Sequence, residues 1–266
     1  MRIEYCGICD RGKVRRVNQD AVFMEAQGDM ALFAVADGMG GHQHGEVASN
    51  AIMAGMEECW KELAFGEFRG AYNLFGVSSL QLSAGEFAGM VSVLRRHLEN
   101  ANRAIMESCR KWEICGSTVA ALLIHKRNYC ILSSGDSRIY YFNGWACKQL
   151  TVDDVWENQP EVVRRYHPKQ RKMHADYGKL VHALGISDTA AVSGKTDTLK
   201  GGDRFLLCSD GFYKMCNSRE VRRILKEYRG NSNGEELLGQ IKQIVYGNGA
   251  KDNVSVILVR ISEMGR

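Results

Sequence analysis

The chain has 266 residues, 45% of them hydrophobic and 25% charged, which excludes disordered and fibrous classes and leaves room for a large core. Two prolines and no Ser-, Pro- or Gly-rich tract imply one domain over 1–266. No run nears the ~18–20 apolar residues of a membrane helix, and the start MRIEYCGICDRGK lacks a leader's apolar stretch, so a cytoplasmic protein with no membrane partner is expected.

Nine cysteines, scattered and odd in number, fit reduced thiols better than a disulfide framework. Cys6 and Cys9 form a CxxC, but no second pair follows at zinc-site spacing. The net charge of +4 is carried wholly by residues 161–179, where Arg164, Arg165, Lys169, Arg171, Lys172 and Lys179 outweigh Glu161 and Asp176. That local concentration does not make a nucleic-acid footprint, and no nucleic-acid partner is expected.

In chain order, Ala31–Ala36 reads as a strand and about Glu46–Leu63 as a helix. Phe87, Val91, Leu94, Leu98, Ala101, Ile105 and Cys109 form one apolar helical stripe, with Ser83 and Glu86 spaced as a capping box ahead of it. Strands follow at Ser117–Ile124, Asn128–Ser134 and Ser137–Phe142, with gaps so short that these neighbours are expected to pair antiparallel. Arg204–Ser209 and Asn253–Arg260 are further strands. Asn217 with Glu220, and Ser232 with Glu235, announce two more helices. Grouped strands interrupted by helix pairs suggest an α+β fold of antiparallel sheet covered by helices.

Four aspartates end these elements: Asn18-Gln19-Asp20, Asp37-Gly38, Asp210-Gly211 and Asp252-Asn253. Taken singly they are ordinary turn dipeptides. A glycine after the acid also lets its carbonyl approach a cation. Carboxylates drawn together repel unless cations or shared protons intervene, and hard oxygen ligands favour magnesium or manganese.

RRVNQDA (15–21), DGMGGH (37–42), GSTV (116–119), GDSR (135–138), LTVD (150–153), ALG (183–185), SDG (209–211) and DNVSV (252–256) occur in the order found in the metal-dependent protein phosphatases. On these motifs the chain resembles the 2C-type, or PPM, family in its bacterial form. The resemblance implies a four-layer α-β-β-α sandwich, two antiparallel sheets flanked by helix pairs. It also implies hydrolysis of phosphoserine and phosphothreonine in phosphorylated proteins through a metal-bridging water, opposite a serine/threonine kinase, by a monomer. By the same resemblance Asp20, Asp37, the Gly38 carbonyl, Asp210 and Asp252 hold two Mn2+ or Mg2+ ions. Arg15, five residues before Asp20, grips the phosphate, and Arg16 is a surface charge.

Departures accompany the motifs. Gln19 replaces an acid beside Asp20. Lys214 stands where many relatives carry an acid that, with the equivalent of Asp136, binds a third cation; a third cation is therefore expected to bind weakly or not at all, and Asp136 is expected to pair with Lys214 or Arg138. Asp154 and His182 replace a histidine and an arginine around a divergent flap at about 152–179, whose basic stretch 164–172 is expected on the surface without regular structure. For the proton donor to the leaving oxygen, His42 and His44 are candidates, as is a metal-bound water.

Two rival readings have some support in the residues. Cys9 and Arg15 show the Cys-x5-Arg spacing of a thiolate phosphatase, but the spacing recurs by chance at Cys216 and Arg222. A catalytically weak family member acting as a phosphoprotein-binding regulator needs a damaged metal site, whereas the aspartates are all present.

Overall fold

The computed structural model describes residues 1–40, 44–65, 79–109 and 115–263. Strand β3 (Met30–Gly40) shows how the layers arise. Ala31, Phe33 and Val35 face one side and Leu32, Ala34 and Ala36 the other, all fully buried. A strand buried on both faces has to lie within a stack of layers.

The remaining elements, in order, are β1 (Arg2–Asp10), β2 (Asp20–Gln27), α1 (Gly45–Phe65), α2 (Ser79–Cys109), β4 (Cys115–Ser117), β5 (Val119–His125), β6 (Asn128–Ser134), β7 (Arg138–Phe142) and β8 (Cys147–Gln149). Then come α3 (Pro160–Arg165), α4 (Pro168–Lys172), β9 (Ser193–Thr198), β10 (Arg204–Cys208), α5 (Asp210–Tyr213), α6 (Ser218–Glu227), α7 (Gly234–Gly247) and β11 (Val254–Glu263). One sheet runs β1-β11-β10-β7-β8 and the other β2-β3-β5-β6-β9, with β4 against the end of β3. The pairings are antiparallel.

Three apolar clusters glue four layers. Phe33, Leu122, Phe205, Leu207 and Ile257 fill the space between the sheets. Leu32, Ala34, Ala121 and Leu123 pack on Ile52 and Met56 of α1 and Leu94 and Leu98 of α2. Leu206, Val256 and Leu258 pack on Ile224 and Leu225 of α6 and Leu237 and Ile241 of α7. Burying Phe33 or Phe205 contributes ~1.5–3 kcal/mol each against the entropy of ordering the chain. The α+β four-layer sandwich is as expected.

Four local expectations are corrected. β5 pairs with β6, but β7 lies in the other sheet, because the chain crosses between sheets at Gly135-Asp136-Ser137, where Gly135 has φ 97. Helix α2 begins at Ser79, upstream of the Ser83/Glu86 pair, and Glu86 instead meets Lys126 at 3.0 Å. Asn217 and Glu220 do form the expected reciprocal cap, whereas α7 starts behind Asn233 and not Ser232. The basic segment is helical: α3 and α4 each begin at a proline, and His167 and Gln170 cap α4 reciprocally.

Among the described cysteines, Cys6, Cys9, Cys59, Cys130, Cys147, Cys208 and Cys216 are free thiols, as expected. Cys115 is disulfide-bonded, against that expectation.

Candidate metal and phosphate centre

Both sheets end at the same place. Asp20 opens β2 and Asp37 closes the main run of β3, and the two are direct cross-strand partners. From the other sheet, Asp210 follows β10 and Asp252 precedes β11, strands joined beyond their ladder by Ser209 N–H donating to the Ser255 carbonyl at 3.1 Å. Asp37, Gly38, Asp136, Asp210 and Asp252 line one cavity of about 240 Å3, with Arg15 and Leu180 at its wall.

The glycines are demanded by close approach. A Cβ on Gly38 would lie 2.0 Å from the Gly45 carbonyl oxygen, and one on Gly211 1.9 Å from that of Asn253. Each Asp-Gly pair thus lets two backbones touch behind its acid, a packing reason beside the cation-approach reason.

Backbone and hydroxyl donors hold the acids in place. Thr118, between β4 and β5, accepts from Asp37 N–H at 3.1 Å and donates its own N–H to the Asp37 carbonyl at 2.9 Å. Ser117 Oγ donates to the same carbonyl at 3.0 Å. Ser209 Oγ donates to Asp20 Oδ2 at 2.7 Å. Asn253 ties the loop bearing Arg15 to the strand end bearing Asp252: its Oδ1 accepts from Gln19 N–H at 2.9 Å, and its Nδ2 donates to the carbonyls of Arg11 and Val17 at 2.9 and 3.0 Å. Sequence reasoning missed Asn253 and Ser209 as positioning groups. The motifs DNVSV and SDG contained them, but nothing in spacing says which side chain turns inward.

The acids strain one another. Burial, then the charges of Asp20, Asp210, Asp136 and Asp252, raise the Asp37 carboxyl well above the usual carboxylate range. Burial also pushes Asp20 up to about 7, with the Ser209 and Ser255 hydrogen bonds opposing and the charges of Asp210 and Asp252 adding. Asp20 Oδ1 and Asp210 Oδ1 are buried with no hydrogen-bond partner. Orphaned anionic oxygens of this kind, on Asp210 in the cavity lining and on Asp20 beside Asp37, suit hard divalent cations. Among the described residues no three His, Cys, Asp or Glu side chains close into a ready cage. Protein cations engage two of the acids instead: Arg15 donates to Asp252 Oδ2 at 2.8 Å, and Lys214 Nζ donates to Asp210.

A family model described as protein phosphatase 2C matches residues 12–245. The chain belongs to the protein phosphatase 2C family. Serine/threonine phosphatase stp of Listeria monocytogenes is 29% identical over 266 residues, covering 97% of this chain and 96% of that one. The serine/threonine protein phosphatase PstP of Mycobacterium tuberculosis is 26% identical over 97% of this chain and 45% of its own length. The structure of Stp1 from Staphylococcus aureus matches with TM-score 0.76 at 25% identity, over 99% of this chain and 96% of that one. The catalytic domain of PstP, solved with two manganese ions, matches with TM-score 0.72 at 25% identity over 98% and 99% of the two chains.

Within this phosphatase 2C fold the other candidate residues fall as follows. Arg15 faces the acids, while the Arg16 side chain is exposed away from the cavity. Asp136 lies at the cavity but accepts a 2.7 Å bond from Tyr213 Oη, so the expected pairing with Lys214 or Arg138 is wrong. Arg138 is occupied by Asp153, with Nη2 to Oδ2 at 2.6 Å, and its guanidinium lies 3.5 Å from the Tyr213 ring centre. Asp154 bonds the turn carrying Asp136, accepting from Gly135 N–H at 2.9 Å. Leu180 closes the base of the 152–179 segment through its bridge to Val155. His42 lies outside the described residues.

Proposed function

We propose that this chain is a serine/threonine protein phosphatase whose two manganese or magnesium ions are held by Asp20, Asp37, the Gly38 carbonyl, Asp210 and Asp252. The observation that carries it is the convergence of the mutually repelling Asp37, Asp136, Asp210 and Asp252 on one small cavity that also presents Arg15, with the buried Asp20 beside Asp37 as its cross-strand partner. The divalent cations supply Lewis acidity toward water and the phosphoryl oxygens.

The chain's own residues do the rest. Arg15 is half-exposed and reaches into the cavity from a loop, so its fork can leave Asp252 and take two phosphoryl oxygens. Asp252 is then free for a cation, so phosphate binding and metal binding share one rearrangement. Asn253 holds the Arg15 loop at the right distance, Thr118 and Ser117 fix the Asp37 backbone, and Ser209 orients Asp20. Lys214, on Asp210 and close to Asp136, opposes a third cation. The complete set of acids, and relatives named as phosphatases, favour catalysis over a regulator that only binds phosphoproteins.

The substrates are phosphorylated proteins made by serine/threonine kinases, and the enzyme works as a cytoplasmic monomer in signalling; no described helix is long and apolar enough to cross a membrane. Hydrolysis of a phosphothreonine peptide and a phosphotyrosine peptide, each with manganese and with chelator, tests the function. Manganese-dependent turnover of the first and little of the second supports it; chelator-resistant turnover, or a preference for phosphotyrosine, overturns it.

A further inference from the structure

We infer that a basic groove beside α6 receives acidic residues flanking the phosphorylated side chain of a protein substrate, and so contributes to substrate choice; this rests on the phosphatase reading above. The groove is built from two hollows that share Arg219 and Arg222. The inner one, about 430 Å3, reaches Arg138, whose guanidinium covers the ring of Tyr213; Tyr213 in turn donates to Asp136 in the acidic cavity. The outer one, about 670 Å3, is walled by Trp145, Lys226 and Arg229. A polypeptide with its phosphate in the acidic cavity therefore has a path one side chain away that leads along α6.

The charge of this groove is not neutralised from within. Arg223 pairs with Glu227 at 2.9 Å, and Glu220 caps its own helix by accepting from Asn217 N–H. Among the described residues Arg219, Lys226 and Arg229 form no ion pair, and all three side chains are exposed. Arg222 donates to the Trp145 carbonyl at 3.0 Å, so the β7–β8 hairpin is fastened to α6 with its indole left in solvent, 85% exposed. A large exposed aromatic beside these cations suits a partner with acidic groups and an occasional apolar side chain. A concave hollow of this size admits side chains and excludes a flat bilayer. The family's reaction requires a polypeptide to lie beside the cavity, which favours protein over nucleic acid. The groove lies on a different element from the basic segment 164–172.

The test uses the full chain with manganese and two phosphothreonine peptides, one with an acidic flank and one with the flank neutralised. For the Arg219→Gln/Lys226→Gln/Arg229→Gln variant at low salt, KM for the acidic peptide should rise about tenfold with kcat unchanged, three exposed charge contacts being lost. KM for the neutral-flank peptide, and turnover of a small aryl phosphate, should stay as in the wild type. Trp145→Ala should raise KM for the acidic peptide by a smaller factor. An unchanged KM for the acidic peptide, or equal losses on both peptides, overturns the groove. Competition against a fluorescein-labelled, unphosphorylated acidic peptide reads binding without turnover. A single-stranded oligonucleotide or anionic vesicles that displace it better than the unlabelled peptide would reassign the groove. Absence of all manganese-dependent hydrolysis sinks the phosphatase reading alone, and loss of labelled-peptide binding in the triple variant then still supports the groove.

Discussion

Replacing Asn253 by alanine should loosen the phosphate centre without touching any proposed ligand. The side chain is 4% exposed and makes three hydrogen bonds, one accepted from Gln19 and two donated to the Arg11 and Val17 carbonyls. At ~1 kcal/mol net for each bond the loss is ~3 kcal/mol. With ~2–4 °C per kcal/mol for a chain of this size, the melting temperature should fall by ~6–12 °C. The freed segment 11–19 carries Arg15 and leads into Asp20, so the manganese concentration for half-maximal activity and KM for a phosphopeptide should both rise. Asn253→Asp should be worse than alanine: it keeps an acceptor for Gln19 but sets a carboxylate against two carbonyls, beside Asp252. Differential scanning calorimetry and a manganese titration of activity read these effects. An alanine variant that melts within ~2 °C of wild type and keeps its manganese requirement would refute the positioning role.

Asp37→Asn should abolish hydrolysis while the protein stays folded, and turnover within ~10-fold of wild type with a normal melt would remove Asp37 from the mechanism. Lys214→Gln frees Asp210 from an exposed ion pair worth ~0.2–1 kcal/mol, so manganese half-saturation should fall by up to about fivefold; a rise would show that Lys214 assists the centre. In chelator, stability should fall as pH rises. The Asp20 carboxyl titrates at about 7 in the folded chain against an ordinary 3.8, so its contribution is complete below 3.8 and lost as pH passes about 7, and Asp37 acts in the same direction. The melting-temperature gain from manganese should therefore be larger above pH ~7 than at pH ~5, and an equal gain would contradict the coupling. Neutralising Arg164, Arg165, Lys169 and Lys172 should slow an acidic phosphoprotein at low salt and spare an aryl phosphate; Arg171 is left in place because it donates to the Glu157 carbonyl at 2.5 Å.

The sequence showed clearly those elements whose burial is one-sided or complete. Leu94 and Leu98 at helical spacing, and the doubly buried β3, could be read directly. β9 could not, since SGKTDT is exposed throughout and is held by its ladder to β6 with no buried apolar side chain of its own. Nor could β1, an edge strand with Gly7 in its middle that pairs with β11 alone. At the centre, Asp37, Asp210 and Asp252 were visible because Asp-Gly and Asp-Asn punctuate the ends of apolar runs, whereas Arg15 was legible only through the family resemblance, by its place five residues before Asp20. Their supports were not: the Asn253 bonds to Arg11, Val17 and Gln19 span more than 230 residues of sequence, and the Tyr213 bond to Asp136 crosses between elements. The error over β6 and β7 has the same origin. A gap of a few residues reads as a hairpin unless one sees that Gly135, at positive φ, turns the chain into the other sheet.

The most direct test of the account is the anomalous scattering of a crystal grown or soaked with manganese. Two peaks should appear in the cavity, with Asp37 between them, Asp20, the Gly38 carbonyl, Asp210 and Asp252 around them, and Arg15 released from Asp252. A single peak, a peak away from Asp37, or a well-occupied third peak on Asp136 would contradict it.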